Sequence, residues 1–100
     1  MIENKLIFSD LALNELEEIV LYISRDSIEN AFRFQQKIVD CAKNLIALPK
    51  IGTLIPDNKL SSKDYRMLIV DNYILFYKIY SDEIRVLRIL NGRRDYPNLL

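Results

Sequence analysis

A chain of 100 residues, half of them hydrophobic and with only two glycines and three prolines, has the length and composition of one globular domain with a single core. Its 14 basic and 14 acidic side chains cancel, so no net charge draws it to nucleic acid or to anionic lipid. One cysteine and no histidine exclude an internal disulfide and leave too few ligands for a zinc site.

The first residues lack the long apolar core of a signal peptide, and no apolar run approaches the ~20 residues that span a bilayer. Together with the lone cysteine, these features predict a soluble cytoplasmic protein. We expect it to need neither a metal nor a cofactor.

The chain begins with a predicted strand over residues 4–8, followed by a helix over 10–25. Ser9 is a suitable N-cap for that helix, in which apolar residues recur every three or four positions and glutamates lie mostly opposite.

Asp26 and Ser27 break the first helix and offer a cap for a second one over 28–48, which Pro49 ends. A short turn between two amphipathic helices indicates an antiparallel hairpin with a shared apolar face. Cys41 falls on the apolar stripe, where we interpret it as a core residue because no partner is present to activate it as a nucleophile.

The connection over 49–64 contains three lysines and two prolines, and is either a functional loop or a solvated one. Three runs rich in Ile, Val, Leu, Tyr and Phe follow, separated by Asn, Asp and Ser. They predict an antiparallel meander with strands at about 66–71, 73–80 and 84–91.

The order β-α-α-β-β-β predicts one α+β domain over residues 1–100, with the helix hairpin packed on one face of a mainly antiparallel sheet. Two helices can cover only one face. The other face is therefore expected to meet solvent or to be reserved for a ligand.

Charge is unevenly distributed, because residues 1–48 carry 5 basic and 8 acidic side chains whereas residues 49–100 carry 9 and 6. The meander in the positive half contains a cluster of arginines. They are Arg66, Arg85, Arg88, Arg93 and Arg94.

Regular alternation places Arg88 in an apolar row of the last strand, beside Ile84, Val86 and Leu90. Such an arginine either pairs with an acidic group or projects into a groove that binds an anion. The candidate acidic partners are Glu15, Glu18 and Asp71.

Arg66 opens one strand, while Arg93, Arg94 and Tyr96 follow the last one, so the guanidinium groups can converge across the sheet on the face that the helices leave bare. Clustered arginines with tyrosines suit phosphate binding and base stacking. The alternative is a solvated basic edge that discourages aggregation.

Catalytic options are few. Without histidine a Ser-His or Cys-His nucleophile is excluded, and the sequence has no P-loop. Phosphoryl chemistry would depend on electrostatic stabilisation by arginine, since an unperturbed phenol such as that of Tyr96, with a pKa of ~10, is a poor base.

The chain resembles the RelE/ParE superfamily of bacterial type II toxins over nearly its whole length. The resemblance is carried by FSDLALNELEEIVLYI, LPKIG, YRMLIVDNYILFYKIY and IRVLRILNGRRDY. Its most specific parts are the Pro49–Gly52 turn, Arg66, Arg88 and the Gly92–Asp95 ending, and the long hairpin and LPKIG turn are more similar to the ParE branch.

In the RNA-cleaving branch, the resemblance implies catalytic roles for Arg66, for Arg94 or Arg93, and for Tyr96. Lys59 and Lys63 match basic site residues loosely, and with Arg88 they complete the implied anion-binding set. Asn91 stands where such relatives often have histidine.

As a ParE-like toxin, the chain is expected to inhibit bacterial growth and to take part in plasmid stabilization, acting as a poison of DNA gyrase. This expectation fits its neutral charge and incomplete catalytic set. The alternatives are a RelE-like, ribosome-dependent mRNA endoribonuclease, and an inert member that retains only antitoxin binding. Each implies a hetero-oligomer with a cognate antitoxin whose flexible segment wraps the toxin.

Overall fold

The computed structural model describes residues 5–55, 64–93 and 100, and it places two helices against a five-stranded sheet. The elements follow in chain order: β1 (Lys5–Phe8), α1 (Asp10–Ser24), α2 (Ile28–Ala47), β2 (Thr53–Leu54), β3 (Arg66–Val70), β4 (Tyr73–Ile79) and β5 (Glu83–Asn91). The predicted α+β class, with a helix hairpin on a mainly antiparallel sheet, is confirmed.

Each helix begins where a serine caps it. The Ser9 hydroxyl accepts the Ala12 N–H at 3.0 Å and the Ser27 hydroxyl accepts the Asn30 N–H at 3.1 Å. The buried residues of α2 recur at helical spacing and form its core stripe: Ala31, Phe34, Ile38, Ala42 and Leu45.

Within the described residues, the sheet has the order β1-β5-β4-β3-β2 and contains one parallel pair, β1 with β5. Strand β2 was not expected, since its two residues are too few to show an alternating pattern. It lies in the connection after α2 and pairs antiparallel with β3, Leu54 opposite Arg66.

A β-bulge in β5 changes which residues share a face. Tyr77 pairs with Val86, but the next residue back along β4, Phe76, pairs with Arg88, so Leu87 is an extra residue. The expected row of Ile84, Val86, Arg88 and Leu90 is therefore wrong. Ile84 and Val86 belong to the helix-side core, whereas Leu90 belongs to a cluster on the opposite face.

That second cluster overturns the expectation of a bare sheet face. Ile55, Phe76 and Leu90 are at most 2% exposed, and Leu100 packs against them. The central strand is apolar at successive positions, so it supplies one core with Leu75 and the other with Phe76.

Candidate functional site

Of the seven residues predicted for anion binding or catalysis, the structure describes three, namely Arg66, Arg88 and Arg93. The other four lie outside the described residues: Lys59, Lys63, Arg94 and Tyr96.

Arg66 holds the turn that follows α2. Its Nη1 donates to the Gly52 carbonyl at 2.9 Å, while the Gly52 N–H donates to the Tyr77 hydroxyl at 2.9 Å. That hydroxyl donates in turn to the Pro49 carbonyl at 2.8 Å. Burial raises the pKa of the Tyr77 phenol, and the nearby Gly52 N–H and Arg66 oppose the shift only in part.

Glycine is required at the centre of this network. A Cβ on Gly52 would lie 2.6 Å from the Tyr77 hydroxyl and 2.7 Å from the Met67 carbonyl oxygen. Close packing therefore requires the glycine of the LPKIG segment, because the backbone of the turn contacts both β3 and β4.

Arg88 is bound to α1 through Glu15. Its Nε donates to the two carboxylate oxygens at 3.0 and 3.1 Å, and its Nη2 donates to Oε2 at 2.8 Å. The same carboxylate accepts the Ile89 N–H at 3.1 Å, and the two side chains are only 12% and 17% exposed. Of the acidic partners predicted for Arg88, Glu15 is the one observed.

Glu15 acts together with Ser9 along the edge of β5. Strand β1 ends at Phe8, and from there the Ser9 N–H donates to the Val86 carbonyl at 2.9 Å and the Ser9 hydroxyl to the Leu87 carbonyl at 2.8 Å. A helix cannot pair with a strand, so beyond Phe8 the contacts from Ser9 and Glu15 satisfy backbone groups of β5 that a continuing β1 would otherwise bond.

The structure does not bring Arg66 and Arg88 together. Arg66 pairs across the strands with Tyr77, and Arg88 pairs with Phe76. Tyr77 and Phe76 belong to the two cores on opposite faces of the sheet. Arg93 is exposed in the turn after β5, where its backbone N–H donates to the Asn91 side chain at 2.9 Å.

A cluster of cations and tyrosines lies at the C-terminal end of β4, and it was not predicted from the sequence. Lys78 Nζ is 5.2 Å from the Tyr65 ring centre and 5.7 Å from that of Tyr80, while the Arg85 guanidinium is 4.9 Å from Tyr80. Lys78 and Arg85 are cross-strand partners. Their mutual repulsion is reduced by Glu83, which lies 2.9 Å from Arg85 and raises the pKa of its guanidinium.

A groove lies between the helix hairpin and the ends of β4 and β5. Three adjoining cavities of about 270, 430 and 550 Å³ there all include Tyr22 and Tyr73 in their lining. Asn72, Asn91 and Arg93 line the largest of these. We call this the two-tyrosine groove.

The two tyrosines differ in their surroundings. Tyr22 is 64% exposed, whereas Tyr73 is partly buried with its ring 5.0 Å from that of Phe34. Burial, and to a lesser extent Tyr22, raises the pKa of the Tyr73 phenol, so the Tyr73 hydroxyl remains a donor at neutral pH. The sequence signal that could have indicated this groove is Tyr22, a large aromatic residue beside the core stripe of α1.

Other kinds of site find no support in the described part of the chain. Residues 5–55, 64–93 and 100 contain no group of acidic or cysteine side chains arranged for a metal ion. Among those residues, no helix has the length and hydropathy needed to cross a membrane. Cys41 packs against the helix-side core, and burial raises the pKa of its thiol despite the opposing effect of Lys37.

Comparison with known proteins gives a family match. The model of a family described as the ParE toxin of type II toxin-antitoxin system, parDE, matches residues 6–96. No curated protein matches the chain significantly.

Among solved structures, the chain is similar to one titled "Chromosomal ParDE TA system from P. aeruginosa", with 23% identity and a TM-score of 0.69. The match covers 89% of this chain and 96% of that one, and it shows a shared fold. A conserved hypothetical protein from Helicobacter pylori is 21% identical over 88% of this chain and 93% of its own, with a TM-score of 0.46.

Proposed function

The chain belongs to the ParE toxin family of type II toxin-antitoxin systems, and from this premise we propose that it inhibits bacterial growth by poisoning DNA gyrase. We place it in the cytoplasm as a single toxin domain over residues 1–100. Its cognate antitoxin, a partner that family membership implies, would neutralise it as a hetero-oligomer.

The observation that favours a poison over an RNA-cleaving enzyme is the use of the strand arginines. Arg66 is bonded to the Gly52 carbonyl in the turn after α2, and Arg88 is bonded to the Glu15 carboxylate on α1. A guanidinium that holds the fold would have to give up that contact to bind a scissile phosphate. The absence of histidine removes the usual proton carrier as well.

The test is a gyrase assay with purified protein. We expect negative supercoiling of relaxed plasmid to fall and cleaved gyrase–DNA complexes to accumulate, and we expect premixing with the antitoxin to reverse both effects. Unchanged supercoiling together with no cleaved complexes, at toxin in excess over gyrase, would reject the proposal.

The cluster of Lys78, Arg85 and their tyrosines favours the second candidate, a ribosome-dependent mRNA endoribonuclease, because cations beside aromatic rings suit RNA. In that case the proposed catalytic residues are Arg66, Arg94 and Tyr96. The phosphate contacts would come from a wider basic set: Lys59, Lys63, Arg66, Arg88, Arg93 and Arg94.

Programmed ribosomes distinguish the two candidates. The endoribonuclease would cut mRNA in the A site, and Arg66→Ala would reduce cutting by at least about 100-fold if that arginine stabilises the transition state. No cutting by the unaltered protein rejects this candidate. Normal growth after induction without antitoxin would instead indicate a member that only binds its antitoxin.

A further inference from the structure

The second core leaves one corner of its sheet face exposed. Strand register pairs Arg85 with Lys78 on one side and with Ile7 on the other, so these three side chains share a face. Ile84 and Val86, which flank Arg85, belong to the helix-side core, so the shared face is the one opposite the hairpin. There the Arg85 side chain is 48% exposed and Ile7 is 38% exposed. We call this surface the Lys78–Arg85 corner and define it by five residues: Ile7, Tyr65, Lys78, Tyr80 and Arg85.

The corner contains a lysine whose charge the fold does not use. Within the described part of the chain, Lys78 makes no ion pair. Its ammonium lies beside two tyrosine rings, 5.2 Å from the centre of Tyr65 and 5.7 Å from that of Tyr80. Two like charges directly opposite each other lower the stability of a sheet. Stability therefore gives no reason for a lysine opposite Arg85, whereas a bound anion does.

The neighbouring acids do not cancel the positive charge. Glu83 accepts one hydrogen bond from Arg85 Nη2 at 2.9 Å, and Asp82, which also acts on the guanidinium, lies between β4 and β5. A guanidinium has five N–H donors, so Arg85 retains donors for another acceptor. Lys5, the register partner of Glu83, is a third cation beside these strands. Three cations against two acids leave the corner positive.

The tyrosine rings hold the two cations in place. The Arg85 guanidinium lies 4.9 Å from the centre of Tyr80, close to the ring that Lys78 also contacts. Free lysine and arginine side chains lose much rotamer entropy when they bind an anion, and cations already held by a ring lose less. Cross-strand partners have Cβ atoms about 4.5–5.5 Å apart, so each cation can reach its own acceptor. Such a pair suits a ligand whose negative charges recur along a line, as the phosphates of a nucleic-acid strand do.

We propose that the Lys78–Arg85 corner binds the phosphate backbone of a nucleic acid, with Lys78 and Arg85 each bonded to a phosphate. The contact reads no bases, so it is weak and independent of sequence. This inference rests on the proposed function for the source of the nucleic acid, which is duplex DNA held by gyrase, or mRNA on the ribosome for the second candidate. It gives the toxin a contact with the nucleic acid that its target carries.

The experiment measures fluorescence anisotropy of a short labelled DNA duplex, and of a labelled single-stranded RNA of the same length, titrated with purified protein. Lys78→Gln is compared with Lys43→Gln, and Arg85→Gln with Arg33→Gln. Both control residues are exposed on α2, which packs on the other face of the sheet. The nucleic acid that binds more tightly identifies the source.

Binding to the duplex should weaken with salt, and log Kd should rise with log salt concentration by about 0.9 for each phosphate contacted. Lys78→Gln and Arg85→Gln should each raise the Kd about 3-fold at low salt and lower that slope by about 0.9. Arg85→Lys keeps the charge and should keep the slope. Tyr80→Leu should raise the Kd about 2–5-fold with the slope unchanged, because the ring positions cations but contacts no phosphate. Both control variants should bind within about 1.5-fold of the unaltered protein.

Three results would overturn the inference: equal losses in the corner variants and their controls, no binding of either nucleic acid at low salt, or a slope that falls as much in Arg85→Lys as in Arg85→Gln. An antitoxin Kd that rises as much as the DNA Kd in Lys78→Gln would assign the corner to a protein partner, and would also overturn it.

Gyrase poisoning is scored separately with the same variants. A protein that shows the expected binding pattern but produces no cleaved gyrase–DNA complexes rejects only the target. One that produces cleaved complexes but binds neither nucleic acid by itself rejects only the corner.

Discussion

At the scale of single residues, the turn after α2 shows why a short motif is specific. Gly52 is bonded through its N–H to Tyr77 and through its carbonyl to Arg66, with no space for a side chain between them. The sequence resemblance selected both LPKIG and Arg66. The structure shows how the two are connected: Arg66 on the sheet donates a hydrogen bond to the Gly52 carbonyl in the LPKIG turn.

We predict that Gly52→Ala lowers the free energy of unfolding by about 2–3 kcal/mol, because an added Cβ would displace the Tyr77 hydroxyl or the Met67 backbone. Urea unfolding measures the change. The matched control is Gly92→Ala, where the nearest heavy atom would be 3.4 Å away, and there we expect a change of at most about 0.5 kcal/mol. Equal effects at the two glycines would contradict the steric argument.

At the scale of elements, the edge of β5 explains where sequence reasoning failed. The helices were predicted within a few residues, since serine caps and apolar periodicity are local signals. The bulge at Leu87 is a property of strand pairing, so alternation alone assigned the following residues to the wrong faces. Arg88 lies opposite Phe76, bonds to Glu15 at the edge of β5 and does not join Arg66 in a common anion site.

We predict that Glu15→Gln costs at least about 2 kcal/mol of stability, because it removes the negative charge that the mostly buried Arg88 guanidinium contacts on α1. Thermal unfolding monitored by circular dichroism tests this. Glu17→Gln removes an exposed carboxylate from the same helix and should change the stability by no more than about 0.5 kcal/mol.

A double-mutant cycle separates the charge pair from the cap on the Ile89 N–H. If Arg88→Met restores most of the stability lost in Glu15→Gln, the cost comes from the loss of the charge interaction between Glu15 and Arg88. If it restores none, the dominant contribution of Glu15 is its hydrogen bond to the strand edge.

At the scale of the whole molecule, the sheet is buried on both faces. The hairpin covers one face, and a second core of Ile55, Ile74, Phe76 and Leu90 occupies the other. Two predicted helices can cover only one face, so the sequence suggested that the other face was open. Residues that cover a sheet from outside a regular helix or strand leave no periodic pattern in the sequence. Leu100, far along the chain from β4, is one such covering residue.

We predict that Phe76→Ala lowers the free energy of unfolding by about 3–4 kcal/mol, as expected for a fully buried phenylalanine. Ile69→Ala, at a position that is 68% exposed, should cost less than about 1 kcal/mol. Chemical denaturation of both variants checks the difference. Similar small losses would mean that the second face is open in solution.

The parallel pairing of β1 with β5 has a consequence for how the toxin is made. Residues 5–8 pair with residues 83–86, so β1 must remain without its partner until β5 has been translated. Contacts between such distant positions form slowly, and chains emerge from the ribosome at only about 5–20 residues per second. A nascent copy therefore cannot complete its sheet until β5 has been synthesised, several seconds after β1, and until then the toxin has no folded sheet with which to act.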